Sequence, residues 1–278
     1  MKTNGKRKIE LTDEMIIRYS RQIILDEVGG EGQKKLLSAS VFIAGTGGLG
    51  VPAAMYLVAA GVGRVAIADF DKVDLSNLQR QVLYYTEDVG KPKVEVAAEK
   101  LRKINPDVEV VPINEKISAS NVMDLIKDYD IVLDGSDNFS ARYVISDSCV
   151  ILKKPYVYGS VLRFEGQVST FISTEGPCYR CLYPSPPPPG MMPSCQEAGV
   201  LGVVPGIIGL IQANEVLKLI LGKGNPLVGK LLVFDALNTE FSMYSVRKRR
   251  DCPVCGENPT ITTPEDIEEW CSVNNLAM

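Results

Sequence analysis

Apolar residues recur along the first half of the chain in two alternating rhythms. Met15, Ile16, Tyr19, Ile23 and Ile24 follow helical spacing behind Thr12-Asp13-Glu14, where Thr12 is a ready N-cap. A second short helix is expected over 33–37. Ser40-Val41-Phe42-Ile43-Ala44 is a brief apolar run that ends in glycines, which predicts a buried strand, and 51–60 reads as the helix after it. Residues 64–69 form the next strand. Gly90-Lys91-Pro92 opens a helix that runs to Ile104 and stops at Asn105-Pro106. Strands are expected at 108–113 and 131–134, with a helix near 120–127 between them and another over 138–152.

The pattern changes after residue 155. Segments 156–162 and 167–173 are extended with no long helix between them, so antiparallel strands are expected. Residues 182–199 contain SPPPPG, too rich in proline for a helix or a central strand, and read as an exposed crossover loop. A helix over 207–221 and strands at 231–235 and 241–246 complete the core. The class is α/β: a Rossmann-like, mainly parallel sheet flanked by helices and continued by antiparallel strands.

Composition narrows what such a fold can do. The 278 residues are 45% apolar and 23% charged, an ordinary globular balance with a net charge of −4. That balance argues against a protein that coats a nucleic-acid backbone. Histidine is absent, which excludes Ser-His-Asp and Cys-His catalysis and any histidine-ligated metal. The N-terminal MKTNGKRKIELTDE lacks the apolar core of a secretory signal, so a cytoplasmic protein is expected. The most apolar stretch, 200–221, carries Pro205, Gln212, Asn214, Glu215 and Lys218 and reads as a buried core helix rather than a membrane span.

The chemistry begins at Gly45-Thr46-Gly47-Gly48-Leu49-Gly50, which satisfies G-x-G-x-x-G between the first strand and its helix. Gly45, Gly47, Gly48 and Gly50 let backbone N–H groups approach a phosphate at a positive helix end. Asp69 ends the second strand nineteen residues beyond Gly50, where a carboxylate accepts from a ribose. The run after it, Asp69-Phe70-Asp71-Lys72-Val73-Asp74-Leu75-Ser76-Asn77-Leu78-Gln79-Arg80-Gln81, adds a cation and amides that reach further than a redox cofactor requires. Lys93 lies in the first turn of its helix, a place suited to phosphate oxygens, and Asp137 follows a strand where a carboxylate can hold magnesium. Taken singly, Arg80 and Lys93 also fit surface salt bridges and Asp137 a helix cap.

Together these segments resemble the MoeB/ThiF/HesA family, whose adenylation domain is similar to that of ubiquitin-activating enzymes. The matching text is RYSRQIIL at 18–25, GTGGLG at 45–50, DFDKVDLSNLQRQ at 69–81, GKPKVE at 90–95, DGSDNFSAR at 134–142, CYRCLYP at 178–184, SCQEAGVLG at 194–202 and CPVCG at 252–256. The resemblance spans about residues 14–262. It implies one adenylation domain over 1–278, with N-terminal helices at 12–38, a nucleotide-binding half at 39–154, a carrier-binding half at 155–250, and a zinc knuckle with a C-terminal extension at 251–278. It also implies the reaction: the C-terminal carboxylate of a small ubiquitin-like carrier ending in Gly-Gly attacks the α-phosphorus of ATP, giving acyl-adenylate and pyrophosphate.

By the same resemblance Asp69 binds the ribose, Arg80 and Lys93 the phosphates, Asn77 belongs to their polar cluster, and Asp137 holds Mg2+. Arg21 corresponds to an arginine that reaches the ATP site of a neighbouring subunit, which implies a homodimer. A carboxylate is already a nucleophile at neutral pH, so the reaction needs alignment and charge compensation rather than a histidine base.

Seven cysteines stand at 149, 178, 181, 195, 252, 255 and 271. Cys178-x-x-Cys181 and Cys252-x-x-Cys255 are two knuckles with seventy residues between them, able to present four thiolates to one structural Zn2+; a redox dithiol is the rival use. Cys195 aligns with a family cysteine that bonds to the activated carrier or carries sulfur, with a bystander thiol as the alternative. Cys149 reads as a core residue. No sulfurtransferase-like domain fits after residue 256, so a separate sulfurtransferase is expected if sulfur is transferred. An NAD-dependent oxidoreductase, a non-catalytic carrier-binding adaptor and an RNA-adenylating relative are the competing functions.

Overall fold

The computed structural model describes residues 9–186 and 198–267. Three short helices, α1 (Asp13–Arg18), α2 (Ser20–Ile23) and α3 (Gly29–Ser38), precede strand β1 (Ser40–Ala44). Thr12 caps α1 as the sequence predicts, its Oγ1 accepting from Met15 N at 3.2 Å. The alternating part continues through α4 (Gly50–Ala59), β2 (Arg64–Ala68), α5 (Lys93–Ile104), β3 (Glu109–Ile113), α6 (Val122–Ile126), β4 (Ile131–Asp134) and α7 (Phe139–Ile151). Then come β5 (Tyr156–Leu162), β6 (Glu165–Phe171), the single turn α8 (Tyr179–Leu182), α9 (Val203–Leu221), β7 (Lys230–Asp235) and β8 (Glu240–Ser245).

The eight strands form one sheet in the order β3-β2-β1-β4-β5-β6-β7-β8. Pairs among the first five are parallel, and β5-β6, β6-β7 and β7-β8 are antiparallel. The change of pattern after residue 155 is therefore the change from parallel to antiparallel neighbours, with hairpins at β5-β6 and β7-β8 and a long helical connection from β6 to β7. Side-chain alternation sends Val41, Ile43, Val65, Ile67 and Leu133 to one face, where α4, α5 and α9 cover them. Phe42, Ala44, Ala66, Val132 and Tyr156 point to the other, under α6, α7 and α8.

Helix α9 spans 19 residues with mean hydropathy 1.5, long and apolar enough to cross a bilayer by those measures alone. Here it packs against α3, α4, β4, β5 and β6. Its buried Glu215 accepts from Thr170 Oγ1 at 2.8 Å and Leu227 N at 2.7 Å and pairs with Lys218. Those partners are what a charge inside a core needs. The helix ends at Gly222 in the left-handed conformation, φ 65°.

Strand order reverses between β1 and β4. The connection from β1 leads outward toward β2 and that from β4 toward β5, which opens a crevice at the carboxyl ends of these two strands.

Candidate functional site

The loop after β1 closes on itself. Gly45 has φ 90°, and a Cβ on Gly50 would lie 1.9 Å from the Gly45 carbonyl oxygen, so both positions need glycine. Gly45 N donates to Ala68 O of β2 at 2.7 Å and Gly135 N to Ala44 O at 2.7 Å, which ties the loop to the ends of both neighbouring strands. The turn opens α4, whose first turn carries no side-chain cap, a helix start suited to an anion.

Asp69 directly follows β2 beside this loop. Its Oδ2 accepts from Thr46 N at 2.8 Å and Thr46 Oγ1 at 2.9 Å, and its Oδ1 from Asp71 N at 2.9 Å. The carboxylate is thus fixed on the loop with lone pairs to spare. Asp71 in turn pairs with Lys93, Oδ2 to Nζ 3.0 Å, and Lys93 is 5% exposed at the start of α5. The segments meet through backbone bonds, Lys93 N to Asp71 O at 3.0 Å and Val73 N to Lys91 O at 2.9 Å. Lys93 does form an ion pair, with its own side chain buried and Asp71 half exposed.

Asp74 begins a tight turn over Leu75–Asn77: its Oδ1 accepts from Ser76 N at 2.8 Å, and Asn77 Oδ1 accepts from Asp74 N at 3.2 Å. This box aims the following residues at the loop. Arg80 donates through Nη1 to Ser76 O at 3.1 Å, and a Cβ on Gly48 would lie 3.5 Å from its Cδ and 3.0 Å from Pro205 Cβ. Thus Arg80, the glycine loop and the start of α9 share one wall. Tyr84 donates to Thr46 O at 3.0 Å, and burial pushes its hydroxyl well above the usual phenol range, so it stays a neutral strut.

The opposite wall is the end of β4. Asp134 is fully buried; Tyr156 donates to its Oδ2, Ser136 N and Oγ donate to Oδ1 at 2.8 and 2.6 Å, and Arg142 Nε lies 3.4 Å from Oδ2. Burial opposes the Arg142 charge, but Tyr158 and Asp134 more than restore it and raise its pKa above the ordinary value. Arg142 also donates to Ser136 O at 2.9 Å. Ser136 is thus tied to Asp134 and Arg142, and Asn138, not Asp137, caps α7 by accepting from Ala141 N at 2.8 Å. Asp137 is exposed and makes no hydrogen bond or ion pair among the described residues. A carboxylate held this way is available to a cation.

A second constellation lies on the far side of α7. Cys178, Cys181, Cys252 and Cys255 bring their Sγ atoms within 4.8 Å of one another. Three of the sulfur separations are 3.9, 3.5 and 3.5 Å. A tetrahedron with Zn–S bonds of about 2.3 Å has edges of about 3.8 Å, so the donor set fits a structural Zn2+. Contacts from Cys178 draw the Cys252 and Cys181 thiols below the usual range, Cys181 to about 6. Arg249 N donates to Cys181 Sγ at 3.4 Å. Between the ligands of the first knuckle, Arg180 reaches back to Asp147 of α7.

The structure therefore brings Gly45, Gly47, Gly48, Gly50, Asp69, Asn77, Arg80, Lys93 and Asp137 to one crevice and the four knuckle cysteines to one cluster. Arg21 is exposed on α2 without a partner among the described residues, away from this network. Cys195 lies outside the described residues, and Cys149 is buried in the core. Thr46, Asp71 and Arg142 were not singled out from the sequence, although each lies inside a motif that was.

The ThiF family profile matches residues 19–254. A sulfur carrier protein adenylyltransferase of Thermus thermophilus is 50% identical over 267 residues, covering 94% of this chain and 98% of that protein. The adenylyltransferase and sulfurtransferase MOCS3 of Aedes aegypti is 46% identical over 265 residues, which cover 95% of this chain and 61% of that protein. Among solved structures, E. coli MccB crystallised with MccA-N7isoASN shares the fold with a TM-score of 0.76 at 25% identity, over 86% of this chain and 74% of that one.

Proposed function

Because this chain belongs to the ThiF family, we propose that its crevice adenylates the C-terminal carboxylate of a small ubiquitin-like sulfur-carrier protein ending in Gly-Gly, with ATP as the adenylyl donor. One observation carries this: a glycine loop, two cations and a carboxylate without a partner among the described residues lie where strand order reverses. Two cations against a triphosphate suit phosphoryl chemistry better than hydride transfer.

Each residue has a task. Backbone N–H groups of the glycine loop take the phosphates, and Asp69 accepts from the ribose hydroxyls. Arg80 and Lys93 balance charge on the phosphate oxygens, Lys93 exchanging Asp71 for phosphate. Asp137 would hold Mg2+ against the phosphates, where the ion would supply further charge compensation. A carboxylate oxygen of the carrier attacks the α-phosphorus, the bond from that phosphorus to the bridging oxygen breaks, and pyrophosphate leaves with the electron pair. No proton transfer is needed at neutral pH. Cys178, Cys181, Cys252 and Cys255 would hold Zn2+, which would supply a folding constraint rather than reactivity.

The tail would enter beside residues 199–201, where Arg163 N donates to Gly199 O at 3.1 Å and Leu201 N to Arg163 O at 3.0 Å. Exposed Ile17, on α1, and Ile24 and Leu25, just after α2, flank Arg21 in sequence, which supports a homodimer whose sites are completed across the interface. We place the protein in the cytoplasm, with any sulfur supplied by a separate sulfurtransferase. Incubation with candidate carriers and Mg-ATP, followed by mass measurement, tests the reading. A carrier heavier by one adenylyl group supports it, and unmodified carriers throughout refute it.

A further inference from the structure

Gln81 closes the turn that carries Asn77 and Arg80, and it is 3% exposed. Its backbone is fully used, with N donating to Asn77 O at 2.9 Å and O accepting from Tyr84 N at 3.1 Å. Among the described residues its side-chain amide has no hydrogen-bond partner: Oε1 is buried and unpaired, and Nε2 makes no hydrogen bond. Leaving a buried amide oxygen unpaired costs free energy, and native proteins keep few such atoms.

The amide's position says what would complete it. Nε2 faces the glycine loop, 3.6 Å from where a Cβ on Gly47 would stand. Two residues earlier, Gln79 abuts the start of α9, its carbonyl oxygen 2.3 Å from a Cβ built on Gly202. The turn thus lies between the loop and segment 199–202, beside the proposed tail entrance. An orphaned acceptor calls for a donor, and neither triphosphate oxygens nor a carboxylate supplies one. The ribose hydroxyls are already assigned to Asp69. A peptide tail offers an N–H beside a C=O, the complement of a primary amide.

Resting on the adenylation reading, we propose that Gln81 is a tail-binding residue that takes the backbone of the carrier's C-terminal glycines. Its Oε1 accepts a glycyl N–H and its Nε2 donates to the adjoining tail carbonyl, which holds the terminal carboxylate in line with the α-phosphorus. Recognition through the backbone suits a Gly-Gly end, where no side chain blocks the approach of the amide.

Gln81→Leu in the full-length chain tests this, with Gln81→Met as a second variant should the first fold poorly. The assays are thermal melting, Mg-ATP binding by calorimetry, and the KM of the carrier that the wild type adenylates. The expected result is a melting temperature at or above wild type, since an unpaired polar group has gone. ATP affinity stays within about twofold, and carrier KM rises about tenfold, the effect of losing roughly one good hydrogen bond. A lower melting temperature with unchanged carrier KM would make the amide structural and overturn the proposal. So would weaker ATP binding with unchanged carrier KM. If the wild type adenylates no carrier, the underlying reading and this proposal fail together.

Discussion

Asp147 and Arg180 form a buried two-pronged ion pair, with Arg180 Nε donating to Asp147 Oδ1 at 2.9 Å and Nη2 to Oδ2 at 2.8 Å. The pair joins α7 to the turn between Cys178 and Cys181, while the N-terminal end of α7 follows Asp137. One helix therefore touches both the nucleotide crevice and the cysteine cluster. Asp147→Asn leaves a guanidinium buried without its counter-charge, a loss of about 3–5 kcal/mol. Denaturant titration checks this, and a change below about 1 kcal/mol would contradict the pair's importance.

Asp137 and Arg80 separate function from folding. Among the described residues Asp137 has no partner to lose, and Arg80 makes one exposed bond, to Ser76 O. Asp137→Ala and Arg80→Ala should keep the melting temperature of the wild type while adenylate formation falls by about 100-fold or more. Full activity in both variants would reject their placement at the phosphates.

The knuckle cysteines and Cys195 should behave in opposite ways. Cys181→Ser breaks a four-thiolate set, so it should release metal, measured by elemental analysis, and lower thermal stability. A chelator acting on the wild type should do the same. Cys195→Ala should leave adenylation unchanged and affect only later transfer of the activated carrier.

Gly45 has no room for a side chain. At φ 90°, a Cβ would lie 2.7 Å from the Gly135 carbonyl oxygen, backbone against backbone. Gly45→Ala should cost at least about 1–2 kcal/mol from the left-handed conformation alone, with ATP affinity lost as the two loops part. Calorimetric melting and nucleotide binding on the same sample check both effects.

The proposed action of Arg21 across an interface has a kinetic signature. Arg21→Ala and Lys93→Ala should each be inactive alone, yet a mixture of the two should regain up to about a quarter of wild-type activity. Random exchange makes half the dimers mixed, and each of those has one intact site of two. No recovery after verified subunit exchange would place Arg21 outside the partner's site.

Most of the architecture was legible because buried strands announce themselves. The runs 40–44, 131–134 and 156–162 match β1, β4 and β5 residue for residue, since each is apolar and bounded by turn residues. Helix α9 begins at Val203 rather than 207, because Pro205 is tolerated in a first turn where no N–H partner is required. Strand β6 begins two residues earlier than expected, at Glu165. Its register is set by the turn at Arg163, φ 55°, and not by hydrophobicity. The single turn α8 has no period to read and is held by the cysteine cluster and by Tyr179 among its aromatic neighbours.

Spacing from the strands singles out Asp69, Arg80, Lys93 and Asp137 in the sequence, and the structure sets Asp69 on the glycine loop, Arg80 beside Gly48 and Lys93 against Asp71. Thr46, Asp71 and Arg142 were not singled out, because their value lies in pairings formed only when β1, β2 and β4 come together. Spacing along one segment carries no trace of them.

The most direct measurement is exchange of labelled pyrophosphate into ATP by the purified protein, run with an intact Gly-Gly carrier and with the same carrier lacking its last two glycines. Exchange that requires the intact tail and Mg2+, and disappears in Asp137→Ala, is the predicted result. Exchange that is indifferent to the tail, or absent with every carrier offered while the protein binds nicotinamide dinucleotide instead, would contradict carrier adenylation.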